Sequence, residues 1–203
     1  MKLYITPGSP YARIARIVII EKGLESRVEI IAAQTRVANS PYYQINPSGR
    51  VPYLVRDDGV GLEESPVICD YLDRLDGKPA YAWPRGEAEW EARRLDALAR
   101  SMADGLAVWG RELGRPQHER SPTIILHEAH RAARLADVWE HEIDHPFMRG
   151  ELNLPQITLA CAVGFGIRLP EFQWRAGHPR LAAWFDHMSA RPSIAATAPP
   201  TGK

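Results

Sequence analysis

Cysteine is scarce in this 203-residue chain, and no apolar run approaches the length of about twenty residues that a membrane span needs. The two cysteines, Cys69 and Cys161, each sit among apolar residues at helical spacing. A disulfide-held secreted scaffold would carry more of them, so both read as core thiols. The run Ile17-Val18-Ile19-Ile20 is closed off by Arg16 and Glu21, and the start Met1 to Thr6 has neither the apolar stretch nor the small-residue cleavage site of a secretory leader. Net charge is missing too. With 25 basic and 25 acidic residues the formal charge is zero, so no general field draws the chain to nucleic acid or to an anionic membrane. A cytoplasmic protein is expected, with neither nucleic acid nor membrane as partner, and any binding site must be local.

There is also no internal repeat, and the one biased tract is an Ala/Pro-rich end after Ile194 that reads as a loosely held tail. The length is enough for one large domain or two small ones, and the pattern changes style near residues 78–86. Before that point short β-rich runs alternate with helical periods. Strands are expected at Leu3 to Thr6, Val28 to Ala32, Tyr53 to Arg56 and Val60 to Leu62, and helices from Pro10 to about Lys22, near Pro41, and from Pro66 to about Leu75. Lys78 to Gly86 has the proline and glycine content of a linker. Beyond it, helices are expected at Glu87 to about Gly114, Pro122 to Ile143, Leu154 to Arg168 and Pro179 to Ala190. Glu89 and Arg93 are spaced to pair on the outer face of the first of these. The expected organisation is an α/β domain over residues 1–77, a linker at 78–86, and an all-helical bundle from 87 to 203.

Three short segments carry chemistry. Ser9-Pro10-Tyr11 follows a strand and a Pro7-Gly8 turn. Serine before proline is an N-cap followed by proline at the first helical position, so a hydroxyl and free backbone N–H groups converge where an anion is favoured. Lowering a thiol pKa by about two units requires about 2.7 kcal/mol. A helix terminus contributes about 0.3–1 kcal/mol and a charge-assisted hydrogen bond about 1.5–3 kcal/mol. Ser9 could therefore hold a thiolate without becoming a nucleophile; it would equally serve as an ordinary cap. In Val51-Pro52 the proline cannot donate to a sheet, which assigns it to an edge or a tight turn where a cis bond is allowed, and leaves Val51 able to pair with an extended ligand. Glu64-Ser65-Pro66 repeats the serine-proline helix start with a carboxylate before it. The helix end suits a ligand carboxylate and Glu64 an ammonium, the two groups of an α-amino acid, although a simple cap with a solvated acid fits as well. Taken together the segments suit a small acidic tripeptide.

On these residues the chain resembles a glutathione S-transferase of the serine-type bacterial kind related to the tau, theta and zeta classes. The matching segments are Ser9-Pro10-Tyr11, Glu21 to Leu24, Asn46-Pro47-Ser48-Gly49-Arg50-Val51-Pro52, Glu64-Ser65, and His178 to Leu181 through Trp184 to Ser193, so the resemblance covers nearly the whole chain. It implies a thioredoxin-like first domain that binds glutathione, a helical second domain that builds most of the electrophile pocket, a homodimer, and a detoxification role with no metal. It further implies that Ser9 hydrogen-bonds the glutathione thiolate as the catalytic residue. Val51, before a cis Pro52, would pair with the cysteinyl backbone, and Glu64 with Ser65 would hold the γ-glutamyl end. Arg50, where such proteins often have lysine, is a candidate for the glycyl carboxylate, and Tyr11, Met102 and Trp109 are candidates for the electrophile pocket. Omega and beta members carry cysteine near the place of Ser9, so serine favours thiol conjugation over mixed-disulfide chemistry. Glutathione-dependent isomerisation or dehalogenation, and a non-catalytic glutathione-binding or partner-binding module, are the alternatives.

The family's Ser/Thr-x-x-Asp capping box is here Asn153-Leu154-Pro155-Gln156. Asn153 is expected to cap and Gln156 to reach back, with Leu152 and Ile157 as a hydrophobic staple. His141-Glu142-Ile143-Asp144-His145 fits a zinc-protease pattern, but Pro146 disfavours helical geometry at His145, so it reads as the end of a charged helix. His127 and His130 read as a solvated face, and the tryptophans mostly as core.

Overall fold

The computed structural model describes residues 1–199. It divides into two compact units, residues 1–82 together with 197–199, and residues 83–196.

The first unit is a four-stranded mixed sheet with two helices. Strands β1 (Lys2–Ile5), β2 (Glu29–Ala32), β3 (Tyr53–Val55) and β4 (Gly61–Glu63) lie in the order β2-β1-β3-β4. β1 and β2 are parallel, joined through helix α1 (Pro10–Glu21), while β3 runs antiparallel to both β1 and β4. Helix α2 (Ser65–Arg74) follows β4 and packs against α1. Leu3, Leu54, Ile14, Ile17, Val18, Ile68 and Leu72 are all buried to 0% exposure and form one continuous core. α1 is built for that role, because its apolar residues recur at three- and four-residue steps from Ile14 to Ile19. This is the thioredoxin-like arrangement expected.

The second unit is all helix: α3 (Glu87–Leu113), α4 (Pro122–Glu142), α5 (Pro146–Arg149), α6 (Leu154–Gly166), α7 (Pro179–Ser189) and α8 (Pro192–Ala196). α6 is buried at every position from Leu154 to Gly164, so it runs through the middle of the unit with α3 packed along it. Asp96 of α3 sits in that contact. It accepts from Thr158 of α6 at 2.7 Å and from Arg100 at 2.6 Å, so its burial leaves no lone carboxylate. Glu89 and Arg93 pair at 2.8 Å as expected, and Cys69 and Cys161 are both buried thiols.

Several expectations change. The linker does not begin at residue 78: Asp73, 1% exposed, accepts from the N–H groups of Ala80 and Tyr81, both at 2.9 Å, and so ties the chain to the first unit through residue 82. The end after Ile194 is not loose over its described part. Ile194 and Thr197 are 0% exposed, and Arg13 donates to the Thr197 hydroxyl at 3.4 Å. The remainder, residues 200–203, lies outside the described residues. Asn153 caps α6 by accepting from the Gln156 N–H at 3.1 Å, but Gln156 does not complete the box. Its side-chain amide donates instead to the carbonyl of Phe147 at 2.8 Å, a bond that a carboxylate at this position could not make. Trp90 departs from the core expectation at 68% exposed, whereas Trp139 is buried. His141 lies in the last turn of α4, while His145 caps α5 by accepting from the Phe147 N–H, so the two histidines do not share one helix. Among the described residues no helix is long and apolar enough to cross a membrane.

Candidate functional site

Register alone gathers the three segments. Tyr4 of β1 lies opposite Tyr53 of β3, and Tyr53 lies opposite Glu63 of β4. The end of β1, the start of β3 and the end of β4 are therefore neighbours across three strands, a width of about 10 Å. Ser9 follows the first, Val51 precedes the second, and Glu64 follows the third. Both α1 and α2 begin at this end of the sheet, so two helix N-termini face the same region.

Ser9 is the N-cap of α1, and its Oγ accepts from the Ala12 N–H at 3.2 Å. A hydroxyl that accepts through a lone pair keeps its own hydrogen to donate. The capping and thiolate-holding readings are thus compatible, because they use different parts of one hydroxyl. Tyr11 lies two residues on, half-buried.

The Val51-Pro52 bond is cis. β3 is an inner strand, which leaves out the edge among the two places expected for Pro52; Pro52 stands one residue before the ladder, where a missing N–H costs no sheet bond. Among the described residues no hydrogen bond occupies the main chain of Val51.

The shape of this loop comes from residues that lie in the matching segment but were given no role there, and from Tyr42 and Glu63 outside it. Asn46 is 2% exposed, and its side-chain amide donates to the Arg50 carbonyl at 3.0 Å, to Glu63 Oε1 at 3.1 Å and to the Tyr42 hydroxyl at 3.4 Å, while its Oδ1 accepts from the Ser48 N–H. Tyr42 donates to the same Arg50 carbonyl at 2.5 Å. Burial pushes the Tyr42 phenol up; the Asn46 contact opposes this and the Glu63 charge adds to it, so the phenol stays a donor at neutral pH. The Ser48 hydroxyl also donates to Glu63. Gly49 has φ 67°, and a Cβ there would stand 2.8 Å from the Tyr43 ring. The one available signal was a run of small polar residues before Val51; the partner Glu63 is too far along the chain to be linked to it.

Glu64 is the N-cap of α2 with φ 67° and ψ 125°, a left-handed conformation that costs a non-glycine residue energy. Its side chain is 65% exposed and meets Arg50, itself 77% exposed, at 3.4 Å. So exposed a pair contributes little and can be exchanged for ligand groups. Ser65, by contrast, is buried at 2%.

Met102 and Trp109 belong elsewhere. They are 1% and 2% exposed on α3, with Trp109 edge-on to Phe172, and pack in the core of the helical unit rather than offering surface to a ligand. Trp109 follows the core expectation for the tryptophans, and neither residue follows the pocket expectation.

Residues 3–80 match the family described as Glutathione S-transferase, N-terminal domain. The chain is 32% identical to the uncharacterized GST-like protein YibF of Escherichia coli over 203 residues, covering 98% of this chain and 99% of that one. It is 35% identical to Glutathione S-transferase 2 of Saccharomyces cerevisiae over 211 residues, covering 96% and 88%. Among solved structures, a glutathione transferase family member from Pseudomonas fluorescens Pf-5 with bound S-(propanoic acid)-glutathione superimposes with a TM-score of 0.86 at 34% identity, covering 99% of this chain and all of that one. With sequence likeness over nearly its full length and the same fold, the chain belongs to the glutathione S-transferase family.

Proposed function

We propose that the protein is a glutathione transferase that activates the glutathione thiol as a thiolate and directs it at the electrophilic carbon of a small hydrophobic substrate. In this reading Ser9 donates its hydroxyl hydrogen to the thiolate while the α1 N-terminus adds its positive end. The Val51 main chain pairs with the cysteinyl segment, as a strand end does with an extended peptide. Glu64 takes the γ-glutamyl ammonium and Ser65, at the α2 start, the adjoining carboxylate. Arg50 turns from Glu64 to the glycyl carboxylate. The bond formed is sulfur to carbon, and the thiol proton leaves to solvent before attack; in an addition the substrate's π bond opens and the resulting carbanion takes a proton from solvent, and in an aromatic substitution the leaving group departs as an anion with its electron pair. Bringing thiolate and electrophile together supplies the rest of the rate.

The observation that carries the reading is the register of β1, β3 and β4, which gathers these groups at one end of the sheet. The Pseudomonas fluorescens relative, bound to a glutathione thioether, supports the choice of ligand. By the same family membership we propose a cytoplasmic homodimer, with sedimentation at about twice the 22.8 kDa chain mass.

The test is titration of enzyme-bound glutathione by thiolate absorbance, in the wild type and in Ser9→Ala, from pH 5 to pH 9. Wild type is expected to bind glutathione with a lowered thiol pKa. Ser9→Ala is expected to lose most of that shift and about 10- to 100-fold in kcat/KM, the value of one charge-assisted hydrogen bond. Binding with an unshifted thiol in the wild type would point instead to a carrier or scaffold on this fold.

A further inference from the structure

Arg50 is gripped twice from the end of β4, once by its side chain and once by its main chain. The outer grip is the exposed pair with Glu64. The inner grip runs to Glu63, half-buried and opposite Tyr53 in the register of β3 and β4. Its Oε1 accepts from the Asn46 amide at 3.1 Å and from the Ser48 hydroxyl. Both donors pass the constraint on. The Ser48 hydroxyl gives its one hydrogen to Glu63, so a lone pair is left for the Arg50 N–H, which donates to it at 3.2 Å. The Asn46 amide also donates to the Arg50 carbonyl at 3.0 Å, beside the bond from Tyr42. The N–H and the carbonyl of Arg50 thus both lead back to one carboxylate oxygen.

Fixing the Arg50 carbonyl fixes its neighbour as well. That carbonyl and the N–H of Val51 belong to one planar peptide unit, and a trans bond points the two to opposite sides. Among the described residues the one cis bond is Val51-Pro52, so the bond before Val51 is trans. With the carbonyl turned toward Asn46 and Tyr42, the Val51 N–H is turned away from them.

The two grips also respond differently to a ligand. A ligand that engages Glu64 and the Arg50 guanidinium takes the outer pair apart. The inner grip uses no group assigned to the ligand, so it still ties the loop to β4 when the outer contact is given up. A loop held in advance spares the cost of ordering it on binding.

We propose that Glu63 is a positioning residue, whose carboxylate holds the Arg50 peptide so that the Val51 main chain stands ready for an extended ligand. The identity of that ligand, the cysteinyl segment of glutathione, rests on the transferase reading above. Glu63 and Glu64 are adjacent in sequence and opposite in role, since Glu63 holds the protein and Glu64 the ligand.

Wild type, Glu63→Ala and Glu63→Gln are compared as full-length proteins in two measurements. The first is amide hydrogen exchange by NMR without ligand. The Arg50 N–H is expected to exchange about tenfold faster or more in Glu63→Ala, and near the wild-type rate in Glu63→Gln, whose side-chain oxygen still accepts. The second is glutathione binding by calorimetry, with the bound thiol pKa read from thiolate absorbance. Glu63→Ala is expected to raise Kd about tenfold and Glu63→Gln less than about threefold. Both should leave the bound thiol pKa at its wild-type value, because Ser9 lies outside the network; a generally damaged fold would disturb it. Ser48→Ala should also raise Kd and add little when combined with Glu63→Ala, since the two share one bond. Unchanged exchange at Arg50 in Glu63→Ala, a Kd equal to wild type, or Glu63→Gln as weak as Glu63→Ala would each overturn the proposal. If the wild type binds no glutathione the transferase reading fails, while the exchange comparison still decides whether Glu63 holds the loop.

Discussion

Glu64 shows most clearly how a single residue can be held against its own backbone preference. At φ 67° a side chain costs about 1–2 kcal/mol that glycine would not, while glycine gives back about 0.5–1 kcal/mol in unfolded-chain entropy. Glu64→Gly is therefore expected to melt at or above the wild-type temperature and Glu64→Ala below Glu64→Gly, with both losing about tenfold or more in glutathione affinity. Thermal melts paired with ligand titration check this; an alanine variant more stable than the glycine one would contradict it. Asn46 is the complementary case, a buried side chain on which a loop depends. Its amide donates toward three oxygens, those of Arg50, Tyr42 and Glu63. Asn46→Asp replaces the donor with an acceptor beside the Glu63 carboxylate, and a loss of at least about 2 kcal/mol in denaturant unfolding is expected at pH 7, together with a raised KM for glutathione. Stability equal to wild type would show that the loop does not rely on this network.

At the scale of elements, the start of α7 is capped from another helix. His178, its N-cap residue, makes no side-chain cap bond; its ring is turned to the Trp174 carbonyl and to Asp137. The carboxylate of Glu140 on α4 accepts instead from the N–H groups of Arg180 at 3.0 Å and Leu181 at 2.9 Å. Burial pushes the Glu140 carboxyl up, but these N–H groups and the Arg180 guanidinium outweigh it and hold it below its usual value. A carboxyl whose folded pKa lies below its unfolded one stabilises the fold at pH above the unfolded value of about 4.3, and that contribution is lost as pH falls through the folded value. Wild-type stability should therefore drop on acidification below about pH 4.5, and Glu140→Gln should be less stable at pH 7 and show a flatter decline. Urea midpoints at pH 7, 5 and 3.5 measure both, and parallel slopes for the two proteins would rule the role out.

At the scale of the whole molecule, the boundary of the first unit is set by a buried charge. The Nζ of Lys22, whose side chain is 6% exposed, meets Asp73 at 3.3 Å and Asp76 at 3.1 Å and donates to the Lys78 carbonyl at 2.6 Å. Asp73 in turn holds the N–H groups of Ala80 and Tyr81. Burial works against the Lys22 charge, and its bonds to Asp76 and Asp73 more than restore it. Asp73→Ala leaves two backbone donors without an acceptor and the ammonium with one carboxylate. A loss of about 3 kcal/mol is expected, with faster proteolytic cutting at residues 78–86 than in the wild type. Unchanged cutting would mean that the segment is held by other contacts.

Much of this was legible in the chain itself. Helix starts at Ser9-Pro10 and Ser65-Pro66 and the pairing of Glu89 with Arg93 are local, and local sterics and hydrogen bonding act over a few residues. The family motifs lie in the same short segments, which is why Ser9, Val51, Pro52, Glu64 and Ser65 could be named before any fold was known. What the sequence could not disclose is pairing at a distance. Nothing in it marks β3 as an inner strand, joins Asn46 to Glu63 or Asp73 to Tyr81, turns Gln156 from its own helix start to Phe147, or sets Glu140 beneath α7. A buried polar group must find its partner wherever packing brings one within about 3 Å, and that is decided by the tertiary structure, not by neighbours along the chain.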